Sequence, residues 1–369
     1  MSADTSSRIA QLLRVVVVVF VAGGTVWAGS NSPEDQQGLS TSETRRIPAA
    51  NIAVLEFKPP DNIRGEMRIR TDVDAEDIEI GIRKNVSNIL DGERAAKILE
   101  SITVKTETSR DLLRIGLQTP QNPEWEGSRI GVAVVFEILL PPGRTFRGDS
   151  ELYDFDLRGP FREVQIYGTY GGIQVAGVTE TANLRAEYGA LTLADAQGRI
   201  ELNNQYGTTT AQNLTGLSTP LKVRSERGDI KMEAVAGAVD IQVDDGLVTI
   251  SGWTATGRDS RIISRNSPVT VDLIGGEKPN VMIRTVDGDV TVTTHEDFSA
   301  RVQSSINKFG GGYIRTRGLP LKVTQIDRHA LEGVAGDGDG LLDITIENHG
   351  SIMLRGPKPV VREDENGSI

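Results

Sequence analysis

From residue 159 onward, apolar and polar positions alternate in short bursts, and each pair of bursts is hinged on a glycine. Two and four residues after the hinge come Ile173 and Val175, Leu191 and Leu193, Ile230 and Met232, Val248 and Ile250, Val269 and Val271, Val290 and Val292, and Ile352 and Leu354. Seven and five residues before it come Val164 and Ile166, Ile200 and Leu202, Leu221 and Val223, Val239 and Ile241, and Val281 and Ile283. Alternation of period two turns one face of a short strand inward and the other to water. The intervening positions agree, being Gln174, Thr192, Lys231, Thr249, Thr270 and Thr291. The hinges Tyr170-Gly171, Tyr188-Gly189, Tyr206-Gly207, Arg227-Gly228 and Asp245-Gly246 follow at 18, 18, 21 and 18 residues, and two steps of 21 through Ser267 reach Gly288. A unit therefore reads strand, glycine turn, strand, second turn, the second turn often carrying its own glycine, as at Gly177, Gly198, Gly216, Gly237 and Gly252. One unit cannot bury its apolar face alone, whereas stacked units share one core. The pattern predicts an all-β chain: a β-solenoid, of β-helix or β-roll type, with about nine rungs of 18–21 residues over 159–356.

Three irregularities interrupt the pattern. Thr209 and Ala211 stand where the apolar pair belongs, the phase slips around Gly310-Gly311-Gly312, and the polar stretch 325–341 is predicted to leave the coil as a loop or hairpin. Residues 47–158 alternate without the glycine period and contain one short helical stretch from about Gly92 to Leu99. They are expected to form a β-rich segment capping the coil, because an open coil end would expose unpaired edge groups.

The first 28 residues read as an export signal, with Arg8 and Arg14 ahead of the apolar run Val15 to Ala22 and a small-residue cleavage pattern at Val26 and Ala28. Residues 29–46 are polar and read as a flexible linker, and 357–369, with two prolines and Glu363-Asp364-Glu365, as a disordered tail. The expected location is periplasmic or extracellular, at the cell surface, with a membrane contact only if the apolar segment stays uncleaved as an anchor. Composition adds exclusions. The chain has 369 residues, 40 Lys+Arg, 51 Asp+Glu, a net charge of −11 and no cysteine. Such a balance argues against nucleic acid as a partner, and the missing thiols exclude disulfides, thiolate metal sites and cysteine nucleophiles.

A strand-rich front ends in the apolar strand and Pro-Pro-Gly turn of residues 130–143, a train of Gly-x-apolar-x-apolar units follows, and Asn348-His349-Gly350-Ser351-Ile352-Met353-Leu354 closes it. Over about residues 60–356 the chain resembles the bacterial DUF4097 adhesin family. The resemblance implies a β-solenoid with a surface or envelope role and brings no catalytic residues with it.

Candidate chemistry is sparse. Asp244, Asp245, Asp287 and Asp289 fall near one corner two rungs apart, with Asp229 on an adjoining one, and paired carboxylates can do acid–base work on glycosidic bonds. Asp beside Gly is equally the common composition of turns. Gly336-Asp337-Gly338-Asp339-Gly340 lacks the full pattern of a calcium loop, and His295, His329 and His349 have no ligand spacing, so neither metal nor cofactor is expected. Arg-Gly-Asp occurs at residues 147–149 and 227–229, the second copy on a turn glycine. Tyr170, Tyr188 and Tyr206 share one unit position and are expected to form a column along an edge, either a structural ladder or a surface that binds sugar rings or a partner chain. The expected function is that of an exported, non-enzymatic, adhesin-like binding module for an envelope polysaccharide or protein. The alternatives are a carbohydrate-active enzyme using the corner aspartates, and an envelope scaffold or stress-signalling partner.

Overall fold

The computed structural model describes residues 38–276 and 278–357; the segment read as an export signal, most of the expected linker and nearly all of the expected C-terminal tail lie outside the described residues. The chain winds as an all-β solenoid of two parallel sheets. In each rung it runs along the first sheet, crosses at the glycine edge, runs along the second sheet and returns at a far edge to the next rung. From Thr145 to Thr294 the rungs stack in chain order. The long strands Tyr153–Gly168 and Ile173–Ala186 each serve both sheets, bending at Gly159 and Gly177, where φ is +142° and +81°.

The apolar grammar of the sequence is the core. Val164, Ile166, Ile173, Val175, Leu191, Leu193, Val239, Ile241, Val248 and Ile250 are all buried between the sheets. Thr209 and Ala211, which break the grammar, are buried in the same row. The turn glycines are needed for a separate reason. A Cβ on Gly189 would collide with the carbonyl oxygen of Gly171 one rung earlier, and one on Gly207 with that of Gly189. Successive turns stack so closely that only a hydrogen fits. Inner polar side chains help to hold these turns: the Asn204 amide donates to the Gly189 carbonyl at 3.1 Å and accepts from the Gly207 N–H at 3.2 Å.

Parallel rungs extend beyond the glycine period at both ends, and the chain order changes there. The rung Val54–Lys58 and Arg64–Thr71 lies between the rung Leu112–Gln118 and Gly131–Leu140 and the one containing Thr145–Ser150. At the other end the last rung of the chain, Leu341–His349 and Ile352–Arg355, inserts between Asn280–Asp287 with Val290–Thr294 and Ala300–Ile306 with Ile314–Arg317. Twelve rungs stack in all among the described residues. At about 4.8 Å each they form a body roughly 50 Å long.

Antiparallel strands close three of the four sheet ends. Thr103–Ser109 covers the first sheet at the N-terminal end, and Asp77–Ser87 followed by Gly38–Pro48 covers the second. The polar stretch up to Arg46 thus enters the sheet through its backbone while most of its side chains stay exposed. At the C-terminal end the hairpin Leu321–Ile326 and Ala330–Ala335 closes the first sheet, which accounts for the polar insertion. The one helix among the described residues, Gly92–Ser101, is capped by Asp91, whose carboxylate accepts from the Glu93 and Arg94 N–H groups. Around Phe57 the N-terminal core turns aromatic, with Phe136 and Tyr153 edge-on at 5.2 and 5.0 Å.

Candidate functional site

The glycine edge gathers most of the exposed candidate chemistry. The residue just before each turn glycine, or before Ser267 where serine takes its place, projects there, so one column reads Tyr170, Tyr188, Tyr206, Arg227, Asp245, Asn266, Asp287 and His349, a rung apart. Sequence spacing suggested a tyrosine column and an acidic corner as separate features; the structure puts both on one line.

The three tyrosines stack face to face. Ring centroids lie 5.2 Å apart for Tyr170 and Tyr188 and 4.9 Å for Tyr188 and Tyr206, each pair within 9° of parallel. The geometry follows from the rung register: each tyrosine N–H donates at 2.8 Å to a carbonyl of the preceding rung (Glu151, Thr169 or Glu187), so the Cα atoms superpose at rung spacing. Stacking covers the inner ring faces. Along the side of the column only ring edges and hydroxyls meet solvent, and the faces open to a ligand are the outer ones at the two ends. Exposure falls from 60% at Tyr170 to 42% at Tyr206, so the N-terminal end is the more open.

That open end meets a hollow. A cavity of about 410 Å³ is bounded by Tyr170, Gly171, Arg64, Gly65, Leu152 and Asp154. It shares Arg64 and Leu152 with a cleft of about 870 Å³, whose polar lining includes Asp61, Asn62, Asn85, Gln121 and Glu126. The cleft belongs to the same edge. Here the crossings between the sheets lengthen into loops, residues 59–63 and 119–130. Its walls are fastened: the Trp125 indole N–H donates to the Asn62 carbonyl at 3.0 Å, Thr119 Oγ1 to Asn62 Oδ1 at 3.2 Å, and Arg94 pairs with Glu124 at 2.8 Å. The sequence reading missed this cleft. Its signal was the long glycine-poor crossing from Thr119 to Ile130 with a single tryptophan, and nothing in that stretch marks which loop it will face.

The corner aspartates work largely within the turns. Asp229 accepts from the Leu247 N–H at 3.0 Å, Asp289 from the Ser351 N–H at 2.8 Å, and Asp154 from the Gly172 N–H, each carboxylate anchoring the turn of a neighbouring rung. Asp245 and Asp287 are separated by Asn266, whose amide donates to Asp245 at 3.1 Å, so these two carboxylates stand two rungs, about 10 Å, apart. Desolvation pushes the Asp287 carboxyl up, but hydrogen bonds from Asn348 and His349 outweigh it and hold the group below the usual carboxylate range. A general acid needs the opposite shift. Asp244 turns onto the outer face of the first sheet, 3.4 Å from Arg265.

The remaining motifs are explained locally. In the first Arg-Gly-Asp, Gly148 packs against the rings of Phe146 and Phe155, and Asp149 pairs with Lys58 at 2.9 Å; in the second, Asp229 is the turn anchor already described. The Gly336–Gly340 loop is pinned by Ser299, whose hydroxyl accepts from the N–H groups of Asp337 and Gly338. His295 and His349 each lie beside one carboxylate, Asp272 at 3.0 Å and Asp287 at 3.2 Å. Among the described residues no cluster of three or more His, Asp or Glu side chains is arranged to hold a metal ion.

No family model and no curated protein matches the chain, so the DUF4097 resemblance rests on the motifs alone. Among solved structures, a "putative cell adhesion protein" from Clostridium sporogenes is 11% identical with a TM-score of 0.21, the match covering 86% of this chain and 100% of that one. A "putative lipid binding protein" from Parabacteroides distasonis is 10% identical with a TM-score of 0.22, over 86% and 97%. Likenesses this slight carry no argument; the fold stands on the strand register described above.

Proposed function

We propose that the protein is an exported binding module that holds an envelope polysaccharide along its glycine edge without cleaving it. One observation carries this reading: Tyr170, with one face left uncovered by the stack, borders a hollow that shares Arg64 and Leu152 with the 870 Å³ cleft. A sugar ring stacked on that face would be met by Arg64 and Asp154, and the chain of sugars would continue into the cleft past Asn62, Asn85 and Gln121. Flat aromatic faces beside planar polar side chains suit ring-built, hydroxyl-rich ligands. Because Tyr188 and Tyr206 cover each other and the inner face of Tyr170, they act as the support that keeps the first ring upright. Export agrees with the N-terminal apolar segment ahead of residue 29.

The test is binding of the purified protein to a panel of envelope polysaccharides and peptidoglycan, with product release followed in the same wells. Saturable binding without products is expected, and Tyr170→Ser should weaken it roughly tenfold while leaving the thermal midpoint in place. Unaltered binding by Tyr170→Ser would sink the reading. Released oligosaccharides would replace it with an enzyme, and Asp245 and Asp287 would then be the residues to change.

A further inference from the structure

The C-terminal end of the same edge carries a different surface. Residues 301–328 contain six Lys or Arg and a single acid, Asp327, within a chain of net charge −11. The crossing from Ala300–Ile306 to Ile314–Arg317 forms a loop with Lys308 and Phe309 at its tip, and Phe309 is 98% exposed. Beside it stands the tip of the capping hairpin. Arg328 Nε donates to the Gly312 carbonyl at 3.2 Å and the Ile306 N–H to the His329 carbonyl at 2.9 Å, so loop and hairpin tip make one corner. Ile326, at the end of the outermost hairpin strand, is 61% exposed, and Val323 on the same strand 45%. Two acids lie close by: the Asp327 carboxylate already accepts from the N–H groups of His329 and Ala330, at 2.7 and 2.8 Å, and Glu332 sits on the inner hairpin strand, opposite Gln325 and one strand in from the end.

We propose that this end of the solenoid docks onto an anionic lipid bilayer, with Phe309 and Ile326 entering the interface, Lys308 and Arg328 meeting the headgroups at the corner, and Arg315, Arg317 and Lys322 meeting them along the strands that lead away from it. Exposed apolar side chains ringed by cations fit a surface that is charged outside and apolar beneath. A soluble polyanion would satisfy the cations but give Phe309 and Ile326 nothing to bury against, so the bilayer fits better. A second copy of the same patch would be repelled by like charge. The acidic remainder of the chain would be repelled too, which favours an end-on contact. In that pose the cleft at the opposite end is held about 50 Å from the membrane, by the rung count. The inference is independent of the polysaccharide reading.

Flotation of the full chain with vesicles tests it. The protein should float with phosphatidylcholine vesicles containing one third phosphatidylglycerol, and far less with pure phosphatidylcholine. Phe309→Ser should weaken binding roughly tenfold, and Lys308→Glu with Lys322→Glu should abolish it. These side chains are exposed, so the thermal midpoint should not move. As a second readout, Phe309→Trp should shift its emission to the blue on anionic vesicles and be quenched by brominated acyl chains. The proposal is overturned if the wild type ignores charged vesicles, or if Phe309→Ser and Phe309→Trp show no apolar contact while dextran sulfate competes fully, the signature of polyanion binding alone.

Discussion

At the scale of single residues, the fold is governed by how closely successive turns approach. Gly171, Gly189, Gly207, Gly228 and Gly246 lie one above another, and a Cβ on each would press into backbone of the rung before. Gly189→Ala must therefore push two rungs apart rather than fill a void, and should cost more than about 2 kcal/mol. Gly92, at the start of the helix, has open space for 4 Å around the place a methyl group would take, so Gly92→Ala should be neutral or stabilising by about 0.5 kcal/mol. Urea denaturation of both variants checks the contrast; equal midpoints would mean that the turns can slide apart cheaply. The same closeness explains what was legible in the sequence. Glycine period, inward apolar pairs and tyrosine column all follow from one repeating geometry, and each leaves a residue at a fixed spacing. Where the crossings lengthen, residues 59–63 contain no glycine, and Gly127 within 119–130 has open space where a Cβ would stand, so no stacked turn demands a glycine there. The two rungs built on these crossings, and the cleft they frame, consequently lack the signature.

At the scale of elements, the ends differ from the middle because chain order and stacking order part company. No local pattern could reveal that Leu341–His349 enters between Asn280–Asp287 and Ala300–Ile306, since Ile344 and Ile346 would satisfy the alternation in any rung. The inserted rung is what joins its neighbours: Asn280–Asp287 and Ala300–Ile306 each pair with it and not with each other. Ending the chain at Gly340 should therefore loosen more than the deleted residues. Hydrogen exchange should show residues 280–317 losing protection together, while 173–254 keep theirs, because stability in a stacked array is passed between nearest neighbours. Protection that persisted across 280–317 would mean that Val290–Thr294 and Ile314–Arg317 had closed the gap directly.

For the whole molecule, the governing problem is that two long parallel sheets have four ends, and each exposes a row of unpaired backbone groups. At three of them the parallel stack ends under antiparallel strands, the outermost being Thr103–Ser109, Gly38–Pro48 and Leu321–Ile326, so the edge offered there is no longer that of the parallel ladder. At the fourth the parallel stack itself is the edge: Ile314–Arg317, a strand of four residues, pairs among the described residues with Ile352–Arg355 alone. Its protection is of another kind: it is short, and two of its four residues are Arg315 and Arg317. Two such edges meeting would bring four guanidinium groups together, a repulsion that grows as salt falls. Arg315 is further held over the Tyr313 ring, its guanidinium carbon 4.2 Å from the ring centroid, which keeps the charge beside the edge. Replacing both by threonine keeps strand preference while removing the charge. Arg315→Thr with Arg317→Thr should then convert the protein into one whose sedimentation coefficient rises with concentration, through end-to-end pairing of the second sheets, while circular dichroism stays that of the wild type. A coefficient independent of concentration would assign the protection to the shortness of the strand instead, and lengthening Ile314–Arg317 at Gly318 would become the change that produces association.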